Sequence, residues 1–398
     1  MSGPIRHLSS PFIGAALVVA RRSRPIAGVR VLQQHVVTRC STGCCHPYST
    51  STPISSAQPS TATPAPAPPQ MKKVTVPSLV SKKRHGRKIS MITAYDYPSA
   101  LHVTRASIDI LLVGDSCAMV ELGYDTTQPM TLDQMIHHCM AVKRGASDGP
   151  LLVGDMPLGT YEFDDTDVAL RNAYRLVKEG GMDAVKLEGG SELRATTVRK
   201  VVEGGIAVMG HVGLTPQAIS VIGGFRAQGR TAVRARQLLD EALRLQEAGA
   251  FAIVLECIPA NVARAITETL EIPTIGIGAG GDTSGQVLVY HDMLGMTSHP
   301  HHKQFVPKFC KSYGKLGHAI IEALEEFRAD VEGGTFPGSE YSPYKMSEEE
   351  RVAFDALLAR DAEERQRIHD ETAAKIDESD EYEKLSLYGS NDGGDGAK

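Results

Sequence analysis

The amino-acid sequence predicts an α/β fold, a (β/α)8 barrel of the TIM type, and three observations lead to this prediction. Eight short apolar runs recur along the middle of the chain, and each ends in glycine or a polar residue. Segments with apolar residues at helical spacing separate these runs over about 250 residues, the usual size of such a barrel. Glycine is plentiful at 38 residues, as expected for many tight strand-to-loop transitions. An open, doubly wound sheet has the same periodicity and remains an alternative.

The predicted strands are continuous apolar runs, which is typical of strands buried on both faces of a parallel sheet. In chain order they cover residues 90–96, 108–115, 151–155, 184–188, 207–211, 252–256, 274–278 and 287–291. Helices are predicted between them. The clearest cover residues 168–179 and 232–248, and the second carries its charged residues on the outer face.

The first 70 residues predict a mitochondrial transit peptide followed by a linker. They lack Asp and Glu and carry Arg among Ser, Thr and small apolar residues. The apolar run at residues 12–20 is too short to span a bilayer, and no other segment is a candidate. Residues 49–70 are rich in Pro, Ser, Thr and Ala, a composition that cannot build a core. We therefore expect a mitochondrial protein without a membrane span.

Residues 71–338 are the predicted catalytic domain, and residues 339–398 are a predicted acidic extension. In the extension, residues 347–350 resemble a capping box at the start of a charged helix over 351–367. The last residues, from 378 on, are predicted to be disordered.

The charge pattern excludes a nucleic-acid-binding protein. The net charge is −5, but 13 Lys and Arg precede the first acid, Asp96. From Ser347 to the end, 16 acids face 7 bases, and the predicted domain between them is acidic as well. A nucleic-acid-binding domain carries a basic face.

The seven cysteines do not form a disulfide framework, because they are scattered and odd in number. Cys117, Cys139, Cys257 and Cys310 are interpreted as reduced thiols. The run Cys40 to His46 lacks a second ligand pair at zinc spacing, so it is not predicted to bind a metal.

Charged residues stand at the carboxyl ends of five predicted strands, and these ends converge on one face of a barrel. They are Asp115, Asp155, Lys186, Glu188, His211 and Glu256. One acid would simply cap a loop, whereas several acids with a lysine predict a functional cluster. Carboxylates without a Cys/His set favour Mg²⁺ or a related hard cation. Together with a lysine and a proton-transfer group, they predict metal-assisted enolisation of a 2-oxo acid.

The sequence GIGAGGDTSG contains a weak dinucleotide fingerprint at Gly276, Gly278 and Gly281. It falls late in the chain and lacks an acidic partner strand about 20 residues on. We interpret it as a tight turn or an anion cradle.

The chain resembles the ketopantoate hydroxymethyltransferase family from about residue 93 to residue 338. The shared motifs, in family order, include TAYDYPSA, LLVGDSCAMVELGYDTTQPMTLDQMIHH, VKLEGG, GHVGLTPQ, GGFRAQGR, LECIPA, IPTIGIGAG and PKF. The resemblance implies a (β/α)8 barrel, a homo-oligomer that is often a decamer, and Mg²⁺. It also implies transfer of a one-carbon unit from 5,10-methylenetetrahydrofolate to 3-methyl-2-oxobutanoate. The product is 2-dehydropantoate, on the route to pantothenate and coenzyme A, and the intermediate is a Mg²⁺-stabilised enolate.

The resemblance also implies roles for individual residues. Asp115 and Asp155 match metal ligands that also contact the substrate, and Glu188 matches a third acid of the metal site. Ser116 and Lys186 match substrate contacts, and Glu256 matches the proton acceptor. His211, by contrast, is interpreted as a structural residue.

Departures from the family pattern are small, and two alternative functions remain. Cys117 replaces a larger aliphatic residue, and the segment SHPHHKQ at residues 298–304 is interpreted as an exposed insertion. The first alternative is an enzyme like phosphoenolpyruvate mutase or lyase that acts on a 2-oxo acid. The second is a barrel that binds a metabolite without catalysis, although it would be expected to lack a ligand or the base.

Overall fold

The computed structural model describes residues 72–146, 148–296 and 307–386 of the chain. Eight parallel strands close into a barrel in sequence order, so the (β/α)8 prediction is confirmed and the open sheet is not found. The strands are β1 (Ile89–Thr93), β2 (Ile110–Val113), β3 (Leu151–Asp155), β4 (Ala184–Glu188), β5 (Ala207–Gly213), β6 (Ala252–Glu256), β7 (Thr274–Ile277) and β8 (Gly285–Leu288).

Helices alternate with the strands. They are α1 (Val76–Arg84), α2 (Tyr97–Arg105), α3 (Cys117–Val120), α4 (Leu132–Gly145), α5 (Thr166–Lys178), α6 (Glu192–Glu203), α7 (Ile219–Ile222), α8 (Ala232–Glu247), α9 (Ala260–Thr269), α10 (Tyr290–Leu294), α11 (Leu316–Glu332) and α12 (Glu348–Ser386). Short 3₁₀ turns occupy Pro216–Ala218 and Ser339–Tyr341. Within the described residues, none of the helices is both long and apolar enough to cross a membrane.

Several predicted strand ends were wrong. β1, β2 and β8 end early at a cap or turn, β7 ends one residue early, and β5 runs two residues further, to Gly213. Asp96 lies outside β1 and caps α2, where its Oδ1 accepts a hydrogen bond from the Ser99 amide at 2.8 Å. Asp115 follows β2 in a turn. His291 lies in α10 and not in β8.

The interior of the barrel explains where the charged residues point. Alternate strand residues face the same side. Leu151 and Val153 of β3, and Ala252 and Val254 of β6, belong to the apolar cluster inside the barrel. The next residue in each series, Asp155 or Glu256, therefore faces inward at the carboxyl end. A second apolar layer joins the strands to the surrounding helices.

The C-terminal extension is helical further than the sequence predicted. α12 runs from Glu348 to Ser386, so residues 378–386, which were predicted to be disordered, lie within it. No Gly or Pro interrupts this stretch. Salt bridges one turn apart, such as Arg351 to Asp355 and Arg367 to Glu371, support the exposed helix.

Candidate active site

A cavity of about 610 Å³ opens at the carboxyl ends of the strands. The predicted site residues line it together: Asp115, Ser116, Asp155, Lys186, Glu188 and Glu256. His211 lies directly beside Lys186 and Glu256 and is buried. The closed barrel therefore gathers all seven residues, although they span more than a hundred positions of the chain.

Asp155 and Lys186 form a buried ion pair, with 2.8 Å between Asp155 Oδ1 and Lys186 Nζ. The Asp155 Oδ2 atom accepts a hydrogen bond from the Asp115 amide at 3.0 Å. Burial raises the pKa of Asp155 to about 6, although the Lys186 charge opposes this shift. Burial lowers the pKa of Lys186, but Asp155 and the other carboxylates raise it more, so the ammonium stays charged.

Glu188 is buried at the end of β4 and is only partly satisfied. Its Oε2 accepts a hydrogen bond from the backbone amide of Gln217 at 3.1 Å. Among the described residues, its Oε1 has no hydrogen-bond partner, and His211 Nδ1 lies 3.8 Å away. Burial, reinforced by the Asp115 charge, raises the pKa of Glu188 well above its usual value. An unsatisfied buried carboxylate oxygen is costly unless a cation or a donor joins it.

His211 is held as a neutral imidazole in one tautomer. Its Nε2 lies 2.7 Å from the Leu214 carbonyl, which only accepts hydrogen bonds, so Nε2 carries the proton. Its Nδ1 lies 3.5 Å from Lys186 Nζ, which only donates. Burial and the Lys186 charge both lower the pKa of His211 well below its usual value. The ring therefore orients Lys186 without adding charge to the cavity.

Glu256 is the carboxylate best suited to act as a base. Its side chain is 15% exposed, and its Oε2 lies 3.4 Å from His211 Nε2. Burial raises the pKa of Glu256 to about 8, with Lys186 lowering it and two carboxylates raising it further. A pKa near the working pH suits a general base, because the carboxylate is available and retains affinity for a proton.

Ser116 is positioned by a tyrosine that the sequence interpretation missed. Its Oγ lies 2.8 Å from the hydroxyl of Tyr95, which is fully buried. The fixed hydroxyl of Ser116 stands next to Asp115 in the cavity wall, where it can donate to a substrate oxygen.

Gln217, on the 3₁₀ turn after β5, was also missed and connects three parts of the site. Its Nε2 donates to Asp115 Oδ2 at 2.9 Å and to the Met156 carbonyl at 3.0 Å. Its Oε1 accepts from the Tyr161 hydroxyl, and that hydroxyl accepts from the Glu188 amide at 3.2 Å. The motif GHVGLTPQ contains this residue, but a search for charged strand ends overlooks a neutral amide.

The donor set of the cavity fits Mg²⁺. Five carboxylates, those of Asp115, Asp155, Glu188, Glu256 and Asp292, line the cavity together with two ammonium groups, those of Lys186 and Lys308. Mg²⁺ commonly binds one or two protein carboxylates and keeps several waters or substrate oxygens. No three His, Cys, Asp or Glu side chains of the described ranges form a ready-made metal cage. A cation held by two carboxylates and completed by other oxygens is therefore the better fit.

Two other interpretations of the sequence concern the glycine-rich stretch and the segments rich in Cys or His. In the glycine-rich stretch, a Cβ at Gly278, whose φ is +62°, would lie 2.6 Å from Phe309 Cδ1, so the missing side chain leaves room for this ring. The closed barrel also excludes the open dinucleotide-binding sheet. The segments at residues 40–46 and 298–304 lie outside the described residues.

A family model and relatives similar in sequence agree on one family. The model of the ketopantoate hydroxymethyltransferase family matches residues 73–339. The chain is 59% identical over 276 residues to 3-methyl-2-oxobutanoate hydroxymethyltransferase 1, mitochondrial, of Oryza sativa subsp. japonica, covering 69% of this chain and 75% of that protein. It is 56% identical over 282 residues to the protein of the same name from Arabidopsis thaliana, covering 71% and 81%.

A bacterial relative and a solved structure extend the comparison. The 3-methyl-2-oxobutanoate hydroxymethyltransferase of Heliobacterium modesticaldum is 54% identical over 271 residues, covering 68% of this chain and 95% of that protein. A crystal structure of phosphonopyruvate hydrolase with oxalate and Mg²⁺ matches 73% of this chain and 98% of that one, at 13% identity and a TM-score of 0.42. This last similarity is too distant to bear on activity or ligands.

Proposed function

The chain belongs to the ketopantoate hydroxymethyltransferase family, and we propose that it converts 3-methyl-2-oxobutanoate to 2-dehydropantoate with 5,10-methylenetetrahydrofolate as the one-carbon donor. In this reaction C3 of the oxo acid loses a proton and forms a bond to the methylene carbon of the donor. Both bonds from that carbon to folate nitrogens break, and water supplies the hydroxyl group. The C3 proton and the second proton of water go to the two nitrogens, and tetrahydrofolate leaves. The product serves pantothenate and coenzyme A synthesis.

The observation that carries the proposal is the position of Glu256. It lines the same cavity as the buried ammonium group of Lys186, and its pKa of about 8 suits removal of the C3 proton. Lys186 balances the negative charge that develops on the oxo acid when the proton leaves. Neutral His211 keeps the Lys186 ammonium directed into the cavity. Ser116 donates to the carboxylate or keto oxygen of the substrate.

Asp115 and Asp155 are the residues that would hold Mg²⁺, with Glu188 contributing through water. A bound divalent cation supplies positive charge beside the carboxylate and keto oxygens of a 2-oxo acid. Asp115 follows β2 and Asp155 ends the neighbouring β3, and the hydrogen bond from the Asp115 backbone amide to Asp155 Oδ2 sets their relative position. Gln217 holds Asp115 and Glu188 in place from behind.

The test of the proposed function is product formation by the full-length chain. We expect 2-dehydropantoate, identified by mass spectrometry, when the oxo acid, methylenetetrahydrofolate and Mg²⁺ are all present. A mutase- or lyase-like enzyme would instead cleave or rearrange a 2-oxo acid without folate. The names of the relatives do not favour that alternative, and a folate-independent product would restore it. A barrel that only binds would give neither product.

We also propose a homo-oligomer, because two apolar surfaces of the described chain face solvent. One is α11, whose exposed large apolar residues are Leu316, Ile320, Ile321, Leu324, Phe327 and Val331. The other is a second cavity of about 790 Å³ along β1 and β8. Contiguous exposed apolar surfaces often mark subunit interfaces. The particle mass measured by light scattering should be a multiple of the 42.8 kDa chain mass. Leu324→Glu on α11 should lower this mass, whereas Val233→Glu, at an exposed position of α8, should leave it unchanged.

Mitochondrial import is proposed from the composition of residues 1–70, which lie outside the described residues. The rice and Arabidopsis relatives are named mitochondrial. A fluorescent reporter fused behind residues 1–70 should enter mitochondria, and a cytosolic reporter would contradict the proposal. The domain boundaries at residues 70 and 338 likewise stay predictions.

A further inference from the structure

The cavity is larger than a five-carbon oxo acid requires. Liquid water occupies ~30 Å³ per oxygen atom. At the same volume per non-hydrogen atom, the roughly eight such atoms of 3-methyl-2-oxobutanoate would fill roughly 240 Å³. The cavity holds about 610 Å³, within the range of pockets that bind drug-sized ligands. Asp115, Asp155, Lys186, Glu188 and Glu256 line it at the ends of the strands, and Asp292 and Lys308 line it as well. The remaining lining is mainly apolar and includes Met119, Val120, Leu214, Pro216, Phe225 and Phe309.

Phe225 is an exposed aromatic side chain on this apolar half. It is 47% exposed and lies on the loop of residues 223–230 between α7 and α8. The amide of Gln228, on the same loop, donates to the carbonyl of Cys257, the residue after Glu256, at 2.9 Å. The loop is thus tied to the end of the strand that carries the proposed base. One exposed aromatic residue is common on a protein surface, so the exposure of Phe225 does not by itself indicate a binding site.

Thr127 supplies a second observation. It lines the same cavity and is 3% exposed, and its Oγ1 has no hydrogen-bond partner among the described residues. Buried hydroxyl groups are normally satisfied, so this one indicates a missing polar partner in the cavity. The neighbouring Gln128 donates to the Gln217 carbonyl at 3.0 Å and to Ser220 Oγ at 3.1 Å. The Thr127 loop and the segment leading to Phe225 therefore form one continuous wall.

We propose that this apolar half of the cavity binds the pterin ring of the folate co-substrate. Phe225 packs on the flat face of the ring, and the Thr127 hydroxyl bonds its polar edge. Phe309 closes the cavity from the β7 side. This assignment rests on the proposed function, because it takes methylenetetrahydrofolate as the donor. It places the one-carbon unit beside the charged residues of the cavity, where the oxo acid is proposed to bind.

The absence of tryptophan from the chain allows a direct test. Phe225→Trp gives the full-length protein a single indole at the proposed site, and Phe163→Trp is the matched control. Phe163 is 51% exposed on another loop and lies outside the cavity lining. Tetrahydrofolate, kept reduced, should saturably quench the emission of Phe225→Trp and leave that of Phe163→Trp almost unchanged. Equal responses of the two variants would overturn the assignment.

Two further variants test the contacts by kinetics. Phe225→Leu removes the flat ring, and Thr127→Val removes only the hydroxyl. Each should raise the KM for methylenetetrahydrofolate roughly 3- to 10-fold, while the KM for the oxo acid changes less than twofold. An unchanged folate KM, or equal rises in both KM values, would overturn the assignment. Equilibrium dialysis of the unaltered protein with tetrahydrofolate distinguishes failure of this assignment from failure of the proposed function. If the unaltered protein does not bind tetrahydrofolate, the proposed donor is wrong and this assignment falls with it.

Discussion

Replacing Gln217 with methionine should show whether Gln217 positions a metal ligand or only stabilises the fold. Methionine has a similar volume but neither donates to Asp115 and Met156 nor accepts from Tyr161. The lost contacts are two donated bonds, at 2.9 and 3.0 Å, and one accepted bond, all buried. A buried group left unsatisfied costs about 1–3 kcal/mol. Because some groups will relax, we expect the free energy of unfolding to fall by about 3 kcal/mol.

The sharper effect concerns Mg²⁺. Removing a group that orients a metal ligand typically lowers metal affinity about 10- to 100-fold. Calorimetric titration of the full-length protein with Mg²⁺ should show a loss of this size in Gln217→Met. The control is Gln246→Met on α8. The Gln246 Oε1 accepts from the amides of Glu271 and Ile272 at 2.8 and 3.3 Å, outside the cavity.

The control should lower stability without changing Mg²⁺ affinity. If Gln217→Met binds Mg²⁺ as tightly as the unaltered protein, its contacts are structural only, and the reasoning about Asp115 is refuted.

Three further outcomes follow from the same geometry. Lys186→Met should lower the free energy of unfolding by about 3–5 kcal/mol in urea, because Asp155 loses its ion-pair partner; unchanged stability would contradict the pairing. A base acts only when deprotonated, so the rate of C3 proton exchange without metal should rise with pH through about 8. Mg²⁺ should shift the midpoint of this pH–rate profile to lower pH. A rate that falls with rising pH would exclude Glu256 as the base. Gly213→Ala should abolish exchange and lower the unfolding temperature, because its φ is +100° and a Cβ would overlap the Glu256 carbonyl. Gly205→Ala, at φ +87° with no atom within 4 Å, should cost only about 1 kcal/mol of backbone strain, and equal unfolding temperatures would contradict this.

The sequence was most informative where burial imposes a continuous apolar pattern. The runs at β3, β4 and β6 were predicted to the residue, because both of their faces are buried and a charged residue ends each run. The barrel topology then brought those charges together. β1, β2 and β8 were less well predicted, because turns and helix caps replace the ladder near Asp96 and His291.

The residues behind the site could not be identified from the sequence. Gln217 and Tyr161 act through contacts between loops 56 positions apart, and neither has a periodic or charge signal. Tyr95 likewise reaches Ser116 only because β1 and β2 are neighbours in the closed barrel. The length of α12 was underestimated, since the acidic composition from residue 378 on was interpreted as disorder, whereas the helix continues to Ser386 without a Gly or Pro to end it.

Exchange of the C3 proton of 3-methyl-2-oxobutanoate in D2O, followed by proton NMR, tests the central claim most directly. It needs no folate and therefore isolates the proposed base. We expect the full-length protein with Mg²⁺ to remove the C3 proton signal. Glu256→Gln, which keeps the shape of the side chain, should not do so, whereas Glu241→Gln on α8, outside the cavity, should remain active. Exchange that persists in Glu256→Gln, or no exchange by the folded unaltered protein with Mg²⁺, would contradict the assignment of Glu256.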